Sequence, residues 1–354
     1  MMGVMRIGIL TGGGDCPGLN AVIRAVVVAG SAFYGDTSVG LVDGWYGMVE
    51  NRSVELNPER CRGILTQGGT ILGTSRTNPF ANPDGPDRVL ATFSGLGLDA
   101  LVAIGGDDTL GAANRLHQLG LPVVGVPKTI DNDLSGTEVT FGFDTAVQIA
   151  TEAVDRLQTT AESHHRVMVC EVMGRNVGHI AVHAGIAGGA AEILIPEVPF
   201  SVEALCDRLR RRHGGGRFFS TIVVAEGAVP IDEDESGREL GARSSDKGAD
   251  QFGHIRVGGI GAFLAGEIER RTGFESRATV LGHIQRGGTP TAYDRVLATR
   301  YGTEALIAVH DGAFGSMVAL NSGRVGRVPL SEATGRPKTV DLQLYRDVAG
   351  PHLG

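Results

Sequence analysis

The chain has 354 residues, 42% hydrophobic and 20% charged, enough for one large or two medium domains with sizeable cores. Its net charge of −8 gives no electrostatic ground for a nucleic-acid or membrane-surface binder, so any anion site must be built from local, placed cations. Cys16, Cys61, Cys170 and Cys206 are scattered without a CxxC pair, and the N-terminus lacks a signal-peptide pattern, which points to reduced thiols in the cytoplasm.

Short apolar runs alternate with amphipathic stretches along the chain. RIGIL (Arg6–Leu10) predicts a strand, followed by the turn TGGGDCPG and a helix over LNAVIRAVVVAG. ALVAI (Ala100–Ile104) predicts a second strand, GGDD a loop, and TLGAANRLHQL a helix. PVVGV (Pro122–Val126) predicts a third strand, leading into PKTIDND. DTAVQIATEAVDRLQTT, Asp144 to Thr160, reads as one helix with Ala146, Ile149, Ala150, Ala153, Val154 and Leu157 at core spacing, and bridges into a second lobe. RVMVCEV, EILI, STIVVAE and RATVLG predict further strands, each beside a helical pattern. The polar stretch from Asp232 to Asp250 predicts a solvated surface loop. The fold class that follows is α/β: mostly parallel sheets covered on both faces, with ligand loops at the C-terminal strand ends. The surplus of glycine, 54 residues, belongs to those loops.

The loops carry the chemistry. In TGGGDCPGLN, Gly13 and Gly18 have P-loop spacing, but Leu19 and Asn20 stand where Lys and Ser/Thr are required. What remains is a glycine-rich turn feeding a helix N-terminus, suited to a terminal phosphate, with an ordinary βα turn as the alternative. In IGGDDTL, Gly105 and Gly106 suggest a phosphate cradle, yet two carboxylates follow, Asp107 and Asp108. One aspartate can hold magnesium; the second needs a separate reason. PKTIDND brings Lys128, Thr129, Asp131 and Asp133 together. Phosphoryl transfer to an alcohol needs such a set: cations and a metal for charge, and a carboxylate for the alcohol proton. Two residues apart in an extended segment, Asp131 and Asp133 would point the same way; Asx-turn chemistry at a strand end is the alternative.

Arg166 precedes one predicted strand, with Met173-Gly174-Arg175 after it; Arg277 precedes another, with His283, Gln285 and Arg286 after it. Arginines at strand ends suit fork-like phosphate recognition, or serve as surface ion-pair partners. Arg76 follows a glycine turn, and Glu226 ends STIVVAEG where it can accept sugar hydroxyls. His179 and His183 are four apart but lack the HExxH glutamate, so no metal is assigned there. Arg208–Arg217 reads as a solvated helix end rather than an anion site.

In this order, GGDCPGLN, GGTILGTSR, IGGDDT, PKTIDND, EVMGR, AEG and GHIQRGG resemble the 6-phosphofructokinase family, most of all its actinobacterial, pyrophosphate-linked branch. The motifs run from about Gly13 to Asp294. The resemblance implies two three-layer α/β/α lobes: residues 1–142 with roughly 285–335 for phosphoryl donor and Mg2+, and 143–284 for fructose 6-phosphate, with the C-terminal tail packing back. It implies Asp131 as general base toward the sugar O1, with Thr129 and Asp133 beside it. Asp107 corresponds to the magnesium aspartate, and Gly14, Gly106 and Arg76 to donor contacts. Met173, Gly174, Arg175, Glu226, His283 and Arg286 correspond to sugar-phosphate contacts of the same subunit. Arg166 and Arg277 correspond to arginines reaching the neighbouring subunit's sugar phosphate, which implies a homodimer or homotetramer with shared sites.

The resemblance also accounts for the second aspartate. ATP-using members carry glycine at the position of Asp108, leaving room for the nucleotide α-phosphate. An aspartate there fills the space and adds a like charge, which at 4 Å repels by roughly 1 kcal/mol in water and several in a drier site. Pyrophosphate has no α-phosphate to meet that obstacle, and Lys128 supplies a cation toward the transferring group. The implied activity is pyrophosphate-dependent phosphoryl transfer to fructose 6-phosphate. The alternatives are an ATP-dependent enzyme with a shifted loop and a non-catalytic sugar-phosphate-binding subunit. Ala191 stands where allosteric members carry an effector glutamate, with Glu192 one step later, and HGGGRFF replaces the basic effector loop. Weak or absent nucleotide regulation is therefore expected.

Overall fold

The computed structural model describes residues 3–231 and 258–349; the polar stretch expected to be a surface loop, from position 232 to 250, lies outside them. The chain divides into two units, Met1–Thr145 with Arg286–Pro337, and Ala146–Gln285 with Lys338–Gly354. Five strands precede the first crossing: β1 (Arg6–Thr11), β2 (Thr37–Leu41), β3 (Ser53–Leu56), β4 (Ala100–Gly105) and β5 (Val123–Pro127). Four lie in the second unit: β6 (Val167–Val172), β7 (Glu192–Leu194), β8 (Ser220–Ala225) and β9 (Ser276–Val280). The pair β10 (Ser316–Asn321) and β11 (Arg324–Pro329) returns to the first. The principal helices are α1 (Leu19–Ala29), α2 (Trp45–Val49), α3 (Gly85–Gly95), α4 (Asp107–Gln118), α5 (Phe143–His164), α6 (His179–Ala187), α7 (Val202–Gly214), α8 (Ile260–Thr272) and α9 (Ala292–His310).

The first unit holds a seven-stranded sheet in the order β11-β10-β5-β4-β1-β2-β3. Its centre is parallel, because each of β1, β4 and β5 is a continuous apolar run that can be buried on both faces. Leu10, Leu41, Leu101, Ala103 and Val123 share one core with Trp45, Val89 of α3, and Leu110, Ala113 and Leu116 of α4. The alternate residues Ile7, Ile9, Val102, Ile104, Val124 and Val126 are equally buried, and α9 packs on β5 and along α1. Antiparallel partners close the two margins, β3 against β2 and β11 against β10. At the start of α9, the buried Asp294 accepts from Thr145 N at 2.8 Å and from Thr145 Oγ1 at 2.5 Å, while Thr291 Oγ1 donates to Asp144 Oδ2 at 2.6 Å.

The second unit holds a parallel sheet in the order β7-β8-β6-β9. Val167, Val169, Ile222 and Val224 pack with Val202, Leu205 and Leu209 of α7 and Leu264 and Ile268 of α8, while α6 lies against β7 and β8. The α/β class expected from the apolar runs is the class observed.

Three local expectations are corrected. Helix α4 begins at Asp107, so GGDD is not a loop; the two carboxylates occupy its first turn, where the helix dipole favours negative charge. Asn132 adopts φ 55°, a left-handed conformation that asparagine tolerates. The chain is therefore not extended between Asp131 and Asp133, and the argument that aimed both carboxylates one way fails. Arg277 lies on β9 rather than before it.

Candidate active site

In the first unit, four loops meet at the C-terminal ends of β1, β4 and β5. The turn after β1 is fixed to the GGTILGTSR segment from both sides: Gly13 N donates to Ser75 O at 3.1 Å, and Thr74 Oγ1 donates to Gly13 O at 2.6 Å. Asn20, in the first turn of α1, accepts from Ile71 N at 2.8 Å. These bonds hold the exposed Arg76 immediately beyond the turn. A Cβ at Gly14 would stand 2.2 Å from Arg286 Nη1, so a side chain there would have to displace that guanidinium. Gly106 is different: its nearest neighbour would be Lys128 O at 3.5 Å, an ordinary contact. Among the described residues no atom excludes a side chain from Gly106.

Lys128 extends β5 toward this turn, with 3% of its surface exposed, and its Nζ donates to Gly14 O. Burial pushes its ammonium below the ordinary lysine range, and the Arg286 guanidinium pushes the same way. Cys16 is no counter-ion at neutral pH, because burial pushes its thiol up to about 12. Asp131 and Asp15 are the carboxylates that favour the charged form of Lys128. Asp131 is itself buried, its N–H donating to Thr129 Oγ1 at 3.0 Å. Thr140 braces the same loop, donating from Oγ1 to Thr129 O at 2.8 Å and from N to Asn132 Oδ1 at 3.0 Å. Asp133 is half-buried, and Asp107 is exposed, its Oδ1 accepting from Gly335 N at 3.4 Å. The first unit thus brings Gly14, Arg76, Gly106, Asp107, Asp108, Lys128, Thr129, Asp131, Asp133 and Arg286 to one end of its sheet.

The second unit brings together another set. The loop after β6 is bent by Gly174, at φ 144° with Val177 O 2.3 Å from where a Cβ would sit, and by Arg175 at φ 50°. Glu226, immediately after β8, accepts from Arg175 N at 3.0 Å, so at least one of its oxygens serves the protein. His283 is exposed on the short turn Gly282–Arg286. Arg166 and Arg277 share one acceptor: Arg166 Nη2 and Arg277 Nη2 each lie 2.8 Å from Glu275 Oε1.

The phosphofructokinase profile matches residues 6–309. The chain belongs to that family. A pyrophosphate–fructose 6-phosphate 1-phosphotransferase of Amycolatopsis methanolica is 58% identical, over 97% of this chain and 98% of its own length. An ATP-dependent 6-phosphofructokinase of Corynebacterium efficiens is 54% identical over the same shares. Among solved structures, phosphofructokinase from Pichia pastoris in the T-state superposes with a TM-score of 0.81 and 33% identity, covering 94% of this chain; the chain spans 36% of that longer one. Names for both donors therefore occur among relatives of similar identity, and the donor must be read from the site.

Within this family fold, one residue that the sequence named beside His283 and Arg286 was given no role of its own. Gln285 is fully buried, accepting from Met173 N at 3.3 Å and donating to Gly282 O at 3.1 Å. A glutamine between His283 and Arg286 in GHIQRGG was the available signal. Two arginines of the basic run Arg208–Arg217 are held in ion pairs: Arg208 binds Glu192 through Nε at 2.6 Å and Nη2 at 3.0 Å, and Arg210 pairs with Glu203 and Asp207. His183 Nδ1 lies 2.8 Å from His179 O, and His179 Nε2 lies 3.0 Å from Lys338 O, so both rings serve local packing. Among the described residues no helix is long and apolar enough to cross a membrane.

Proposed function

We propose that the protein is a cytoplasmic, magnesium-dependent pyrophosphate–fructose 6-phosphate 1-phosphotransferase. Asp131 takes the proton of the sugar O1 hydroxyl as that oxygen attacks a phosphorus of pyrophosphate. The bond from this phosphorus to the bridging oxygen breaks, and fructose 1,6-bisphosphate and orthophosphate result. Lys128 faces the transferring group, with Thr129 and Asp133 beside the base. Gly14, Gly106 and Arg76 hold the donor. Met173, Gly174, Arg175, Glu226, His283 and Arg286 hold the sugar phosphate, and Arg166 and Arg277 reach that of a neighbouring copy in a homo-oligomer. The bonds broken and formed are close in free energy, so the reaction runs both ways.

Asp107 suits magnesium: an exposed hard-oxygen donor in the first turn of a helix beside a second carboxylate, for an ion that binds one or two carboxylates and completes its shell with phosphate oxygens and water. When bound, the ion neutralises charge on the transferring phosphoryl group. The Glu192–Arg208 pairing, with the glutamate side chain 4% exposed, favours a non-allosteric enzyme, because that carboxylate already has its partner.

One observation carries the choice of donor: Asp108 stands next to Asp107 in the first turn of α4, in the same unit as the buried Lys128 at the end of β5. Initial rates with fructose 6-phosphate and magnesium, using pyrophosphate or ATP, test it, together with Asp108→Gly. A large preference for pyrophosphate that shrinks in the variant upholds the reading. Strong wild-type turnover with ATP, which the 54% identical relative keeps open, overturns it.

A further inference from the structure

We propose that the hydroxyl of Ser75 is a positioning group for the phosphoryl donor, acting through Arg76 by locking its backbone onto the turn that follows β2. Residues 73–78 form neither helix nor strand, so no backbone ladder sets the direction of Arg76. Hydrogen bonds to two strand ends do so instead. On the β1 side, Thr11 Oγ1 donates to Gly73 O at 2.8 Å, and Ser75 O accepts from Gly13 N at 3.1 Å. On the β2 side, Asp43 N donates to Leu72 O at 2.8 Å, and Ser75 Oγ donates to Asp43 O at 2.7 Å. Asp43 holds φ 62°, a left-handed conformation that aspartate tolerates.

The same hydroxyl accepts from Thr77 N at 3.3 Å. Ser75 and Thr77 therefore close a tight turn with Arg76 at its apex, and the main chain is tied down on both sides of the arginine. An arginine on loose, irregular backbone would have to order main chain and side chain together when an anion arrives. Here only the side chain remains to be ordered, so less entropy is lost on binding. The partner on the β2 side is the main-chain carbonyl of Asp43, whereas its carboxylate lies 3.2 Å from Arg52 Nη1. The residue type at position 43 then matters to the donor only for its left-handed backbone, which glycine adopts as readily.

This inference rests on Arg76 holding the donor, and the experiment separates the two. Ser75→Ala, Ser75→Thr, Asp43→Gly, Arg76→Ala and the double variant Ser75→Ala with Arg76→Ala are compared with wild type by thermal melting and initial rates. Calorimetric titration of pyrophosphate with magnesium reads donor affinity directly. Ser75→Ala should raise KM for pyrophosphate about fivefold or more, as for loss of a hydrogen bond, and leave KM for fructose 6-phosphate within about twofold. Ser75→Thr keeps the hydroxyl and Asp43→Gly keeps the carbonyl, so both should stay near wild type. In the Arg76→Ala background, Ser75→Ala should add less than about twofold, because residues that act through one another are not additive. A folded Ser75→Ala with unchanged KM for pyrophosphate overturns the proposal. So does an effect that persists in full without Arg76, which marks a general structural role. If Arg76→Ala leaves donor affinity unchanged, the donor role of Arg76 fails and the proposal falls with it. If wild type turns over with ATP and not pyrophosphate, only the pyrophosphate reading fails, and the same cycle on KM for ATP decides the role of Ser75.

Discussion

The main-chain amide of Arg175 donates to Glu226 Oε1 at 3.0 Å while Arg175 holds φ 50°. A left-handed arginine costs about 1–3 kcal/mol, so the carboxylate helps maintain a conformation the loop would otherwise leave. Glu226→Ala should raise KM for fructose 6-phosphate roughly tenfold or more, whereas Glu226→Gln, which keeps an acceptor for Arg175 N, should cost much less. Equal losses in both variants would point to a role in which only the negative charge counts.

Asp131 is held at its backbone by Thr129 Oγ1. Replacing the base by Asp131→Asn should lower kcat by roughly 10²–10⁴ and leave fructose 6-phosphate affinity intact. Thr129→Val, which removes the acceptor for Asp131 N, should lower kcat by about tenfold with normal thermal stability. Near wild-type turnover by Asp131→Asn would remove Asp131 from its proposed role.

For Lys128 the folded pKa lies below the ordinary value of 10.5. Between the two values the unfolded chain binds more protons, so stability rises with pH through that window and the charged lysine costs stability below it. Pyrophosphate needs the charged form. KM for pyrophosphate should therefore climb as pH rises through the lowered pKa, and Lys128→Met should show no such climb. The same variant should melt at a higher temperature while using pyrophosphate poorly.

Asp294 behaves in the opposite sense. Burial raises its pKa from 3.8 to about 6, although hydrogen bonds from Thr145 oppose the shift. The folded state holds the extra proton, so this stability is complete below the unfolded value and is lost as pH rises through about 6. The loss is on the order of 3 kcal/mol. Melting temperatures of Asp294→Asn relative to wild type should thus improve steadily from about pH 4 to about pH 7. A flat difference across that range would mean Asp294 is ionised throughout.

The central strands were legible because β1, β4, β5, β6 and β8 are apolar on both faces, which leaves an unbroken run in the sequence. Strands β3 and β11 lie at margins, where residues are exposed or half-exposed, and SVEL and RVGRVP carry no such run. The start of α4 was hidden because an acidic pair reads equally as a polar loop and as a helix N-terminus. The conformation of Asn132 had no signature at all: the spacing of Asp131 and Asp133 is the same whether the residue between them is extended or left-handed. Arg286 was assigned by its neighbours in GHIQRGG, yet its side chain answers to a turn at Gly14 that nothing nearby in sequence reveals.

Strand β5 receives its second neighbour, β10, only from the far end of the sequence, after the whole middle segment of the second unit. During synthesis β5 therefore leaves the ribosome as an open edge and stays one until Ser316–Asn321 emerges. The second unit, in turn, lacks the segment from Lys338 onward until that too has emerged. Neither half can finish folding as the polypeptide grows, so a stalled or truncated product carries an unpaired strand next to its glycine-rich loops and becomes a substrate for chaperones and proteases.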